Sequence, residues 1–233
     1  MKTVVFTLLV LLAATPLLAS GPYFYSGDFD PNDPNANGLA NETDAIVNGS
    51  PYGAATYQNF VTDGVFVSNL FTNNLSGLNP SSGYWEIRSG VSEGNGGTLI
   101  ASGTTAPGNF YHNPTGRNGF GFNEYQDVAD GVNVTLPAGT FWFAVVPNDP
   151  ASGNRSFNSN TFGLNRIGTE IDNQQYFNST FFGADFTNAN NEGVFAAFSA
   201  GVNADVVPEP SSLILLGSGL MGAAVAARRR WFS

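Results

Sequence analysis

The sequence contains no cysteine. That excludes a disulfide framework, thiol nucleophiles and thiolate metal sites. Histidine occurs once, at His112, too few for the usual ligand set of a catalytic zinc. Between residues 21 and 207 there is no lysine, and the only basic residues are Arg88, Arg117, Arg155 and Arg166. Seventeen acidic residues share that region, giving it a net charge of −13. Phosphate binding relies on Lys and Arg, so nucleic acid is a poor partner for this surface. The acidity is read instead as a device for keeping an exported protein soluble. The same region lacks sustained helical spacing of apolar residues. It also lacks an internal repeat, which argues against a propeller or a solenoid.

Both ends of the chain read as targeting segments. Lys2, the apolar run Val4 to Leu12, and small residues up to Ala19-Ser20 describe a secretory signal peptide over residues 1–20. At the other end, Val207-Pro208-Glu209-Pro210-Ser211-Ser212 carries two prolines that stop any helix or strand. Residues 213–227 follow without a charge. As a helix they span about 22 Å at 1.5 Å per residue, short of a ~30 Å hydrocarbon core. Arg228, Arg229 and Arg230 then form a basic stop on the cytoplasmic side. Residues 228–233 are read as a cytoplasmic tail. A marginal span with a basic stop suits a tail that is held briefly and then cut.

What remains between the ends is 187 residues, enough for one domain. Such a domain buries roughly 70% of its unfolded surface and needs no metal or disulfide to hold it. Residues 21–56, rich in Asn, Asp, Gly and Pro, read as a loop-rich leading segment. Residues 57–202 alternate short aromatic and β-branched runs with Gly/Asn/Pro turns. The runs are 65–71, 84–88, 98–102, 132–136, 140–146, 176–182 and 193–202. Thr140-Phe141-Trp142-Phe143-Ala144-Val145-Val146 is apolar on both faces and predicts a central strand. The pattern predicts an all-β domain, an antiparallel β-sandwich or jelly roll. Residues 203–212 are expected to form an exposed linker.

The tail resembles the PEP-CTERM sorting signal of bacterial exported proteins, also known as the ice-binding protein C-terminal domain. The likeness covers residues 207–230, with the Pro208-Glu209-Pro210 motif, the short span and the Arg228–Arg230 cluster in order. It implies recognition by an exosortase, a membrane-embedded processing enzyme. It also implies a bacterium that makes extracellular polysaccharide. Flat ice-binding faces use Thr-x-Thr ladders, and no two threonines here are two residues apart. The order Gly27-Asp28-Phe29-Asp30, Gly38 to Glu42, Tyr57 to Phe60 and Trp85 to Gly90 is similar to an ectodomain type found with such tails. That type brings no assigned chemistry.

Candidate chemistry within the domain is sparse. Gly90-Val91-Ser92-Glu93-Gly94 matches G-x-S-x-G, but it lies between two predicted strands and the sequence places His112 in a loop. It is read as a polar hairpin loop. Gly217-Ser218-Gly219-Leu220-Met221-Gly222 matches a dinucleotide fingerprint inside the span, where small residues serve helix packing instead. Asp28, Asp30 and Asp33 form an oxygen-rich loop that is a candidate calcium site. Its spacing is not that of an EF-hand, and a solvated turn loop is the favoured reading. The expectation is therefore a non-enzymatic surface or matrix protein, with a lectin-like, calcium-assisted carbohydrate-binding module as the alternative.

Overall fold

The computed structural model describes residues 21–43, 53–105, 107–149, 151–168, 172–207 and 217–220. The signal peptide, Pro208, Glu209, Pro210 and Arg228–Arg230 lie outside the described residues. So does the 213–227 span, apart from residues 217–220, which are helical. Among the described residues no helix is long and apolar enough to cross a membrane.

The domain is all-β and antiparallel. Its strands are β1 (Phe24–Tyr25), β2 (Gly38–Ala40), β3 (Ala55–Ser76), β4 (Ser82–Ser89), β5 (Thr98–Thr105) and β6 (Phe110–Gly119). They continue with β7 (Phe122–Asn148), β8 (Ser156–Thr161), β9 (Tyr176–Ser179), β10 (Ala184–Asn188), β11 (Ala197–Phe198) and β12 (Ala200–Val206). One path of hydrogen-bonded neighbours runs β1-β12-β3-β7-β4-β5. β6 adds to β7, while β8 and β9 add to β3.

The two long strands, β3 and β7, pair from Gln58↔Phe143 to Ser76↔Asn123. Pro137-Ala138-Gly139 does not break β7, although the sequence reads as a turn there. Gly64 lies opposite Pro137, where the proline has no N–H to give to the ladder. Gly64 has φ 123°, a region closed to residues with a side chain.

Apolar side chains explain why β7 lies at the centre. Phe141, Phe143 and Val145 pack on one face with Phe24, Phe60 and Val202. Trp142, Ala144 and Val146 pack on the other with Tyr57, Tyr176 and Phe186. Two cores thus share one strand, as the two-sided apolar run predicts. Phe143 is fully buried and meets Phe60 edge-on at 5.8 Å. Burial of a ring of that size contributes about 1.5–3 kcal/mol.

Several boundaries differ from the sequence reading. The 21–56 segment is not merely a leading loop. It supplies β1 and β2, and Phe24 and Phe29 are buried. Residues 203–206 are not linker but the end of β12, paired to β3 through Val206↔Val65. Val207 donates its N–H to the Gly64 carbonyl, so the sheet grips the chain up to residue 207. The 193–202 run is not one strand: Ala196, with φ 74°, precedes β11, and Ser199 separates β11 from β12. His112, expected in a loop, lies on β6 opposite Asp127.

Candidate functional site

Hydrophobic periodicity misses β8 because this strand carries polar residues to buried positions. In β8, Ser156, Asn158, Ser159, Asn160 and Thr161 are all buried. Asn158 and Ser159 donate to the Asn73 carbonyl, Asn158 pairs with Asn74, and Ser159 reaches Glu124; Asn73, Asn74, Glu124 and the nearby Asp127 are also buried. Buried polar groups persist only when they are hydrogen-bonded, and these are densely connected. The Glu124 carboxylate accepts from Ser159 Oγ at 2.7 Å and Thr115 Oγ1 at 2.8 Å. Asp127 accepts from Asn74 at 2.7 Å and pairs with His112 Nδ1 at 2.6 Å. Burial pushes the Asp127 carboxyl above its ordinary value, with His112 and Asn74 pulling it back. His112 also stacks on Tyr125 at 3.9 Å.

The network reaches the surface at a cleft of about 380 Å³. Arg117, on β6, links its parts. Its Nη1 donates to Asp28 at 2.7 Å and its Nε to Glu124 at 2.5 Å. Burial works against the guanidinium charge, but Glu124, and then Tyr25 and Asp28, more than offset it. The Tyr25 hydroxyl donates to Asp28 at 2.6 Å and accepts from Asn73 at 2.9 Å. Desolvation, followed by the Asp28 hydrogen bond, raises the Tyr25 pKa, so the phenol keeps its proton. Tyr25 is thereby a fixed donor, and Arg117 is already committed to two carboxylates.

The cleft floor depends on one glycine. A Cβ at Gly201 on β12 would stand 2.3 Å from the Phe71 ring and 2.6 Å from the Phe24 carbonyl. Without it, Phe71 lies across the neighbouring strand and meets Tyr25 at 5.6 Å. A second hollow of about 340 Å³ adjoins the first, with Pro22 and Asn203 lining both.

The sequence-predicted site residues are dispersed. Asp28 joins the Arg117 network and also accepts from Asn165 at 2.7 Å. Asp30 accepts from the Asn32 backbone at 2.9 Å and Asp33 from the Asn35 backbone at 2.8 Å. Each of the latter two closes its own exposed turn. No group of three or more His, Asp or Glu side chains able to hold a metal occurs among the described residues. Gly90 to Gly94 form the turn between β4 and β5, where Ser92 and Asn95 exchange backbone hydrogen bonds. Trp85 and Trp142 are each only 8% exposed, which removes them as sugar-stacking platforms. The Tyr25–Asp28–Arg117–Glu124 network has no local sequence signal, since Asp28 and Arg117 are 89 residues apart.

The fold thus defines an all-β domain whose last strand leads directly into the tail. Residues 206–230 carry a PEP-CTERM protein-sorting motif. The motif implies export, transient membrane anchoring and processing by an exosortase-type membrane enzyme. No curated protein and no solved structure matches the chain.

Proposed function

We propose that this chain is an exported, non-enzymatic surface or extracellular-matrix protein that associates with extracellular polysaccharide. The β domain is read as a sandwich-type ectodomain, and the tail as a device that delivers it and is then removed. One observation carries the reading. The sorting motif begins at residue 206, where the sheet ends. Residues 208–212 alone separate Val207 from the apolar segment. Proline cannot continue a helix or a strand, and processing enzymes take extended substrates. The proposal of no enzymatic role is supported by the state of the best-placed polar groups. Arg117 is neutralised, Tyr25 holds its proton, and the G-x-S-x-G serine lies in a hairpin turn.

Intact mass of the surface-released protein tests the sorting step. Replacing Pro208, Glu209 and Pro210 by alanine is expected to leave export intact and to trap an uncut, membrane-bound precursor. A released form that retains Arg228–Arg230, or normal maturation of the triple-alanine variant, would overturn the reading.

A further inference from the structure

We propose that the cleft between β1, β12, β3, β7 and β6 binds a neutral, hydroxyl-rich ligand, a run of sugar units in an uncharged polysaccharide. The inference rests on the association with polysaccharide proposed above and assigns it a place on the domain.

Register fixes which side chains share the outer face. Tyr25 lies opposite Gly201, Gly201 opposite Phe71, Phe71 opposite Val128, and Val128 opposite Tyr111. The apolar core takes the alternate residues, such as Leu70, Ala129 and Val202. One row of the outer face therefore carries Tyr25, Phe71 and Tyr111, of which Phe71 is buried at 4% exposure. Tyr111 is 44% exposed at one end of it. Beside that row stand carboxamides. Asn113 and Gln126 are direct cross-strand partners, and Asn203 lies on β12. All three line the cleft. None of the three side-chain amides is hydrogen-bonded to another described residue, although most polar side chains around them are.

That combination selects a chemistry. A sugar hydroxyl both donates and accepts, and a carboxamide offers both functions in one group. The Tyr25 and Tyr111 rings, rather than the buried Phe71, supply apolar contact for the C–H faces of a pyranose. Charge excludes the anionic alternatives. Arg117 is the only cation lining the cleft among the described residues, and Asp28 and Glu124 both hold it. The three together carry one net negative charge in a domain already strongly acidic. A uronate, sulfate or phosphate would meet repulsion there. The adjoining hollow, reached past Pro22 and Asn203, extends the groove along the sheet and suits a polymer better than a single small molecule.

The test is binding of the full chain, held in a non-sugar detergent, to glucan, mannan and xylan oligosaccharides, with polygalacturonate oligosaccharides as the anionic arm. Binding in the neutral arm is expected. Asn113→Ala, Gln126→Ala and Asn203→Ala each remove hydrogen bonds made only to ligand. Each should weaken binding by about 2- to 10-fold, and the triple variant by tenfold or more, with an unchanged urea midpoint. Neutral binding that survives the triple variant would overturn the cleft while leaving the polysaccharide association standing. Preferential binding of polygalacturonate would overturn the neutral assignment. No binding in either arm would overturn both the cleft and the association.

Discussion

Replacing Arg117 by methionine tests whether the buried polar network supports the fold or merely decorates it. Methionine keeps the length and apolar stem of the side chain but removes both ion pairs. Asp28 is partly exposed and can be rehydrated, whereas Glu124 is fully buried. After the change Glu124 keeps Ser159 and Thr115 but loses its only cation. Breaking a buried pair from one side destabilises by about 3–5 kcal/mol, because a charge is left without compensation. Arg117 is itself 26% exposed, so solvent screens part of the interaction and the lower end, about 3 kcal/mol, applies. With a urea slope of about 2 kcal/mol/M, the midpoint should fall by about 1.5 M. Adding Glu124→Gln removes the stranded charge; its amide oxygen keeps the acceptor for Ser159, and its NH2 can donate to the Thr115 hydroxyl in place of accepting from it. The double variant should regain most of the loss, giving a coupling of about 2 kcal/mol in the double-mutant cycle. A loss below about 1 kcal/mol for Arg117→Met, or no recovery with Glu124→Gln, would refute the reasoning.

Two further outcomes follow from the same region. The buried Asp127 carboxyl binds its proton more tightly in the folded state than at its ordinary value of 3.8. Its contribution to stability is therefore full below that value and is lost as pH rises through the raised one. Urea midpoints measured from pH 4 to pH 7 should include this decline in the parent, and Asp127→Asn should remove it; an unaltered profile would refute the assignment. Millimolar calcium is expected to leave the melting temperature unchanged, because Asp28 already accepts from Tyr25, Arg117 and Asn165. A rise following RT ln(1 + [L]/Kd), about 2.7 kcal/mol at a hundredfold excess over Kd, would instead place the ion on Asp28, Asp30 and Asp33.

What was legible in the sequence was its apolar half. Phe141 to Val146 reads as a central strand from its lack of polar alternation, and it lies between the two cores. Tyr84 to Arg88 reads as a strand from clean alternation, and β4 contains it. The tail was legible for a different reason, since proline, apolar length and terminal charge act locally and in order. The polar half was hidden. Ser-Phe-Asn-Ser-Asn-Thr in β8 looks like a loop, yet four of those six residues bury amides or hydroxyls in hydrogen bonds to other segments. Only one clue to the cleft was available. Asn113, Thr115 and Arg117 alternate with a period of two, a strand signature written in polar residues. Pro114 and Gly116 between them concealed it by resembling turn residues.

The pairing of β1 with β12 has a consequence for the order of events during export. The ladder joins Phe24 to Val202 and Tyr25 to Gly201, the two ends of the domain. A chain that crosses a membrane from its N-terminus delivers β1 first and β12 last. Until then β1 has no strand to join, and the β12 side of β3 stands open as an unpaired edge, a liability for aggregation. β12 ends only a few residues before the apolar segment, which on the proposed route halts the passage. The sheet is therefore completed while the tail still holds the chain at the membrane. Anchoring coincides with the closing step of folding, when diffusion into a neighbour's open edge would be most damaging.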